Sequence, residues 1–339
     1  MAWQKHRPSK PKIQKATKIR RLLQKSVNPL CFTLWSEKIL DHGEDAPAIL
    51  HAKYTHGFIG VLDGMGGAGN EKYTTPDGVE RSGAYIGARA ARDFLNGWYA
   101  SHTTASINAA DLARGFNDAL QATFTTLVSK PSLIKSKMRR TLPTTLAAIR
   151  YHSVDSSTQI DALWAGDSRA YVLTTDGLRQ ISKDDADVDE SSLSGFMQDA
   201  PLTNCISLNS DTVIHTHTQH VAGPCVLIVA TDGCYGYLSS PAHLEQLLFA
   251  CMRDATSTSQ WGELVQARLL PVAGDDFSMA LVCIGWKNHA DVVAQFATRH
   301  QRMSARVGQL DTLNAAGTPE ASAASEALFQ DYYRTYRCQ

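Results

Sequence analysis

Residues 57–67, GFIGVLDGMGG, constrain this chain more than any other stretch. An apolar run, 58–62, delivers a single carboxylate, Asp63, into a glycine-dense turn. A short run rich in Ile and Val reads as a buried strand. The glycines after it permit backbone conformations closed to other residues and let a ligand approach the main chain. An ionised carboxylate at the end of a buried strand is costly unless a cation or hydrogen-bond donors meet it.

The bulk properties narrow the class of protein without naming it. At 339 residues the chain holds one large domain or two ordinary ones. A formal net charge of zero argues neither for nor against nucleic acid. Seven scattered cysteines with no CxxC pair fit a reducing compartment. No uncharged run approaches the roughly 18 residues of a membrane span, and the N-terminus lacks the apolar segment of a secretory signal. A cytoplasmic protein is expected, with no membrane partner and no nucleic-acid partner.

Residues 1–28 form a basic arm, with Lys5 to Lys25 supplying nine cations and no acid before residue 29. The arm reads as a solvated segment; contact with a polyanion is the sharper alternative. Core-like sequence starts near Cys31. Residues 70–77 read as a polar loop, and 82–98 and 107–128 as helices. Residues 144–151, 160–164 and 170–173 read as consecutive short strands. Asp176-Gly177 marks a hairpin, and 182–200 an acidic surface segment. A buried strand at 225–230 runs into Thr231-Asp232-Gly233; helices follow at 244–252 and 261–270, then a final strand at 279–285. Beyond Trp286, Val293, Phe296, His300, Met303, Val307 and Leu310 make a heptad-like stripe. Packing against the main domain is its expected role, with a partner contact through 290–313 as the alternative. Residues 315–325 read as a linker, and Phe329 to Tyr336 as a short terminal helix.

Asp63, Asp232 and Asp275 each stand where an apolar strand meets a turn, and Asp167 lies between two short strands. A lone Asp-Gly is usually a turn cap; four such acids with glycine neighbours point to a shared, oxygen-rich pocket. Oxygen donors suit hard divalent cations such as Mg²⁺ and Mn²⁺, and no HExxH or paired His/Cys spacing competes for zinc. Gly64-x-Gly66-x-x-Gly69 matches a dinucleotide fingerprint, but Asp63 would face the pyrophosphate and no helix opens after it. Asp185-x-Asp187-x-Asp189 departs from a calcium loop at Glu190 and Phe196.

Glu44-Asp45, Asp63-Gly64-Met65-Gly66-Gly67, Thr144-Thr145, Gly166-Asp167-Ser168-Arg169, Asp232-Gly233 and Asp275-Asp276-Phe277-Ser278 occur in a distinctive order. In that order and spacing the chain resembles the metal-dependent PPM serine/threonine phosphatases (protein phosphatase 2C family) of bacterial type, over roughly residues 30–286. The resemblance implies an α/β fold: a four-layer α-β-β-α sandwich of two mostly antiparallel sheets, with a dinuclear metal site between them. It implies a catalytic domain at 29–286 and a helical extension at 287–339. Asp63 would bridge two Mn²⁺ or Mg²⁺ ions, with the Gly64 carbonyl on one. Asp232 and Asp275 would complete the other site, Glu44 or Asp45 would hold metal-bound water, and Asp167 would serve a third, weaker ion. Asp184, in the flap-like 183–185, is a further third-site candidate. Asp63, Asp232 and Asp275 would act through metal-bound water in the hydrolysis of phosphoserine and phosphothreonine. The implied partners are a phosphoprotein substrate and an opposing serine/threonine kinase.

The chain departs from the family pattern in three places. Leu40 stands where the family often has a phosphate-binding Arg, leaving Lys38 and Arg169 as candidates to supply that charge, Arg169 being the better suited to a structural ion pair. Residues 69–81 form a longer link than usual between the glycine turn and the first helix. The last motif reads DDFS, so Asp276 competes with Asp275 as ligand. The competing expectation is a catalytically weak phosphatase-like sensor or scaffold that binds phosphoproteins.

Overall fold

The computed structural model describes residues 30–129, 139–187 and 201–337. The basic arm 1–28, residues 188–200 of the acidic segment and Cys338 lie outside the described residues.

Two five-stranded sheets, antiparallel at every pairing, carry the fold. The first runs in the order β1 (Cys31–Ser36), β15 (Phe277–Ile284), β14 (Cys225–Ala230), β10 (Arg169–Thr174), β11 (Gly177–Gln180). The second runs β13 (His215–Ala222), β9 (Ser157–Ala165), β8 (Leu146–Val154), β3 (His56–Val61), β2 (Ile49–Ala52). Strand side chains alternate between faces, and the sequence of β14, CVLIVA, is apolar at every position because both its faces are covered. Cys225, Leu227 and Val229 pack with Ile59, Val61 and Ile149 of the facing sheet, whereas Val226 and Ile228 face the outer helices.

Helices α1 (Gly83–Ser101) and α2 (Ala109–Phe124) cover the second sheet through Ala88, Leu95, Leu112 and Phe116. Helices α3 (Pro241–Asp254), α4 (Thr258–Leu269), α5 (His289–Ala316) and α6 (Pro319–Tyr336) cover the first. The result is the expected α-β-β-α sandwich. Ser82 caps α1 by accepting a hydrogen bond from the Tyr85 amide. Residues 70–77, expected as a loop, contribute β4 (Lys72–Thr74), which pairs with β5 (Glu80–Ser82) and β6 (Val128–Ser129) in a small separate sheet. A two-stranded pair, β7 (Thr141–Thr144) with β12 (Ile206–Leu208), lies nearby.

The heptad-like stripe on α5 is used inside the chain: Phe296, Met303, Val307 and Leu310 belong to the outer core with α3 and α6. Each large apolar side chain buried this way contributes about 1.5–3 kcal/mol, so internal packing outweighs any exposed partner contact through that face. The linker expected at 315–325 is instead helical. Gly317 ends α5 in the left-handed region (φ 64°), Thr318 caps α6, and Pro319 opens it. Alanine-rich sequence favours helix, and only two residues separate the helices. Thr318→Ala is expected to cost about 1 kcal/mol, read as a lower urea midpoint with native helix content at zero denaturant.

Candidate active site

Where β3 ends, the Asp63 carbonyl accepts hydrogen bonds from the Thr145 amide (2.8 Å) and Thr144 Oγ1 (2.7 Å), which pins the turn to the start of β8. A side chain at Gly64 would place Cβ 2.6 Å from the Ala84 carbonyl oxygen and 2.7 Å from that of Glu44. Only glycine lets the turn lie this close to α1 and to the loop before Asp45. Where β14 ends, Asp232 opens a short 3-10 turn, Asp232–Cys234. Gly233 admits the Asp276 carbonyl at 1.9 Å from where a Cβ would stand, bringing this turn against the start of β15.

Asp45 is buried at 2% exposure and accepts a hydrogen bond from Thr231 Oγ1 (2.8 Å). The same hydroxyl oxygen receives the Ser278 amide (2.8 Å), so Thr231 fixes Asp45 to both β14 and β15. Asp275 and Asp276 take different positions. Asp276 accepts the Lys38 amide on Oδ1 (2.7 Å) and the Glu44 amide on Oδ2 (2.6 Å). Its carboxylate ties the 38–44 loop to β15. Asp275 is exposed, accepts the Asp276 amide on Oδ1 (2.8 Å), and lies close enough to Asp232 and Glu44 to repel both. Glu44 accepts from Ser82 Oγ.

Asp63 lies within hydrogen-bonding reach of both Asp45 and Asp232. Burial first, then repulsion among neighbouring carboxylates, raises Asp45, Asp63 and Asp232 well above the usual carboxylate range. Burial and the nearby Asp232 push Asp167 up to about 8. Glu44 is raised by burial and by Asp276, and opposed by its bond from Ser82 and by the charge of Lys72. Among the described residues no group of three or more His, Cys, Asp or Glu side chains is arranged to hold a metal ion; Asp63 is nonetheless close enough to Asp45 and Asp232 for their carboxyls to act on one another. A crowd of oxygen donors that repel each other and contain no His or thiolate fits a hard divalent cation, whose charge offsets the repulsion.

Arg169 and Asp184 form a buried bidentate pair, with contacts of 2.6–3.1 Å and each side chain 4% exposed. Gln180 Nε2 donates to Asp184 at 2.7 Å, and the Arg169 guanidinium stacks 3.9 Å from the Tyr235 ring centroid. Tyr235 Oη in turn donates to the Asp167 carbonyl (2.6 Å). Asp185, next along, accepts from the Gly166 amide, Asn204 Nδ2 and His215 Nε2. The base of the flap is thus fastened to the 166–169 turn. Lys38 Nζ donates to the Gly274 carbonyl. Leu40 is exposed.

No protein-family model matches the sequence, and no curated protein matches it. Solved structures do. A bacterial serine phosphatase superposes with a TM-score of 0.53 at 16% identity, over 77% of this chain and 100% of that one. The serine/threonine phosphatase Stp1 from Staphylococcus aureus gives 0.53 at 16%, over 78% and 99%. A C. elegans sex-determining protein gives 0.52 at 13%, over 80% and 68%. The chain has the PPM phosphatase fold. The sequence-predicted acids Glu44, Asp45, Asp63, Asp167, Asp232, Asp275 and Asp276 neighbour one another closely enough for their charges to act pairwise. Asp184 stands apart from that group in that its carboxylate is engaged by Arg169 and Gln180. Sequence reading missed Thr231 and Ser82, the hydroxyls that orient Asp45 and Glu44. Thr231 directly precedes the Asp232-Gly233 turn and Ser82 stands at a helix start, but their acidic partners are distant in sequence.

Proposed function

We propose that this chain hydrolyses phosphoserine and phosphothreonine in proteins with two divalent cations, Mn²⁺ or Mg²⁺. The observation that carries the reading is the closeness of Asp45, Asp63 and Asp232, with Asp275 beside Asp232, from segments far apart in sequence. Asp63, Asp232, Asp275 and the Gly64 carbonyl would hold the ions, with Glu44 and Asp45 beside them and Asp167 toward a third. When bound, such a pair supplies a water acidic enough to attack phosphorus near neutral pH and offsets charge on the phosphoryl oxygens.

The chain's own residues hold this arrangement in place. Thr231 orients Asp45, Ser82 orients Glu44, and Asp276 keeps the loop bearing both against β15. No covalent enzyme intermediate is needed, so none of the buried thiols has a chemical part. We assign the catalytic unit to residues 29–286 and treat the two C-terminal helices as an extension packed on its outer layer. The substrate is a phosphoprotein, with an opposing serine/threonine kinase implied. Six described cysteines are buried and free, which suits a reducing compartment, and the cytoplasm is our assignment. Among the described residues no helix is long and apolar enough to cross a membrane.

The test is hydrolysis of p-nitrophenyl phosphate and of phosphoserine and phosphothreonine peptides with Mn²⁺. Turnover that EDTA abolishes and added Mn²⁺ restores is the expected result. A folded protein that binds Mn²⁺ yet turns over none of these compounds would point instead to a phosphoprotein-binding scaffold.

A further inference from the structure

Phosphate recognition needs a cation near the carboxylate cluster, and most basic side chains there are already engaged. Lys38 donates to the Gly274 carbonyl. Arg169 is buried against Asp184. Arg81 donates to the Asp41 carbonyl. Arg89 donates to the carbonyls of Gly43 (3.2 Å) and Glu44 (3.3 Å) and lies over the Tyr85 ring. The position that the family often fills with Arg is Leu40.

The segment between the glycine turn and α1 supplies the exception. Its hairpin is well anchored: Tyr73 of β4 is 3% exposed and meets the Phe124 ring edge-on at 5.8 Å. The Gly83 amide closes onto the Glu71 carbonyl at 2.8 Å. Side chains alternate along a strand, so with Tyr73 facing inward Lys72 faces out. Lys72 pairs directly with Ser82 across the antiparallel ladder, and directly opposed side chains share a face with Cβ atoms about 4.5–5.5 Å apart. Ser82 is the hydroxyl that donates to Glu44. Lys72 is exposed and forms no hydrogen bond or ion pair among the described residues, and its charge is felt at Glu44.

We propose that Lys72 is the phosphate-binding cation of this protein, supplied by the β4–β5 hairpin in place of a side chain at position 40. The hairpin fixes the Lys72 backbone beside the cluster, while its four-carbon stem lets the ammonium reach an oxygen of the incoming phosphoryl group. This proposal rests on the phosphatase reading for its substrate, and its test separates the two.

The experiment uses the full chain loaded with Mn²⁺ and measures inorganic phosphate binding by titration calorimetry beside phosphopeptide hydrolysis. Lys72→Ala is expected to weaken phosphate binding and raise KM by about tenfold, with kcat changed less than about threefold. Lys72→Arg should restore most of both, and the difference between wild type and Lys72→Ala should shrink as salt rises. Thermal unfolding should be unchanged, as Lys72 is exposed. If wild type hydrolyses phosphopeptide and Lys72→Ala matches it in KM and phosphate affinity, the assignment of Lys72 is overturned and the phosphatase reading stands. If wild type binds phosphate through Lys72 but hydrolyses nothing, the Lys72 site stands and the phosphatase reading falls.

Discussion

Asp63→Asn is expected to lower Mn²⁺-dependent phosphatase turnover by on the order of 10³-fold or more while raising the melting temperature measured in EDTA. The two effects have one cause. Asp63 is pressed between Asp45 and Asp232 with Asp167 in range, and burial holds its carboxyl well above the usual range. Its unfolded value is about 3.9. A carboxyl whose folded pKa lies above its unfolded one favours the fold at low pH, and that contribution is lost as pH rises through the folded value. At neutral pH, without cations, that contribution is reduced and the crowded Asp63 carboxyl works against folding. The neutral amide keeps the shape and removes the repulsion, with each kcal/mol relieved raising the melting temperature by about 2–4 °C. With Mn²⁺ present the order should reverse, since ion binding stabilises the wild-type fold in proportion to its affinity and Asn is a poorer ligand. Differential scanning fluorimetry with EDTA and with Mn²⁺, beside a p-nitrophenyl phosphate assay, reads all three quantities. A variant that retains wild-type turnover would remove Asp63 from the metal site.

Arg169→Ala is expected to cost about 3–5 kcal/mol of folding stability, measured by urea unfolding. The substitution leaves Asp184 buried, with Gln180 as its other donor, and removes the guanidinium from the Tyr235 ring. The Arg169→Met, Asp184→Leu double variant is expected to recover most of the loss, because a well-packed apolar pair can replace a buried ion pair at little cost. The comparison also bears on Asp184. As the partner of Arg169, its replacement by Asn lowers stability with or without Mn²⁺. As a ligand of a third ion, the same replacement would lower activity and metal affinity and leave urea unfolding in EDTA near wild type.

Most of the sandwich is legible in the sequence because its central strands are doubly covered. The runs at 58–62, 225–230 and 279–285 are apolar for that reason, and glycine or aspartate marks where each begins or ends. β13 is not legible: its sequence HTHTQHVA is polar on alternate residues and nearly so on the rest. It is an edge strand held by pairing to β9 and by side-chain bonds such as Thr218 Oγ1 to Asp161 (2.8 Å). The β4–β5 hairpin was hidden by its short strands and by Pro76 and Gly78 between them. The α5–α6 junction was hidden because alanine and serine suit linkers and helices alike. Asp63, Asp167, Asp232 and Asp275 stand out locally, since each sits beside a glycine next to a strand, whereas Asp45 does not. What holds them does not, because Thr231 and Asp276 act on residues brought near only by the finished fold.

The pairing of β1 with β15 has a kinetic consequence. Asp276 grips the amides of Lys38 and Glu44 across 238 and 232 residues of chain, so loop-closure entropy must be met before these contacts return anything. Topologies dominated by such distant pairings fold slowly, in milliseconds to seconds or longer. The pocket is therefore expected to form late, with the β1–β15 pairing that closes it. Until the final strand pairs with β1, the Asp276 carboxylate has no Lys38 or Glu44 amide to hold.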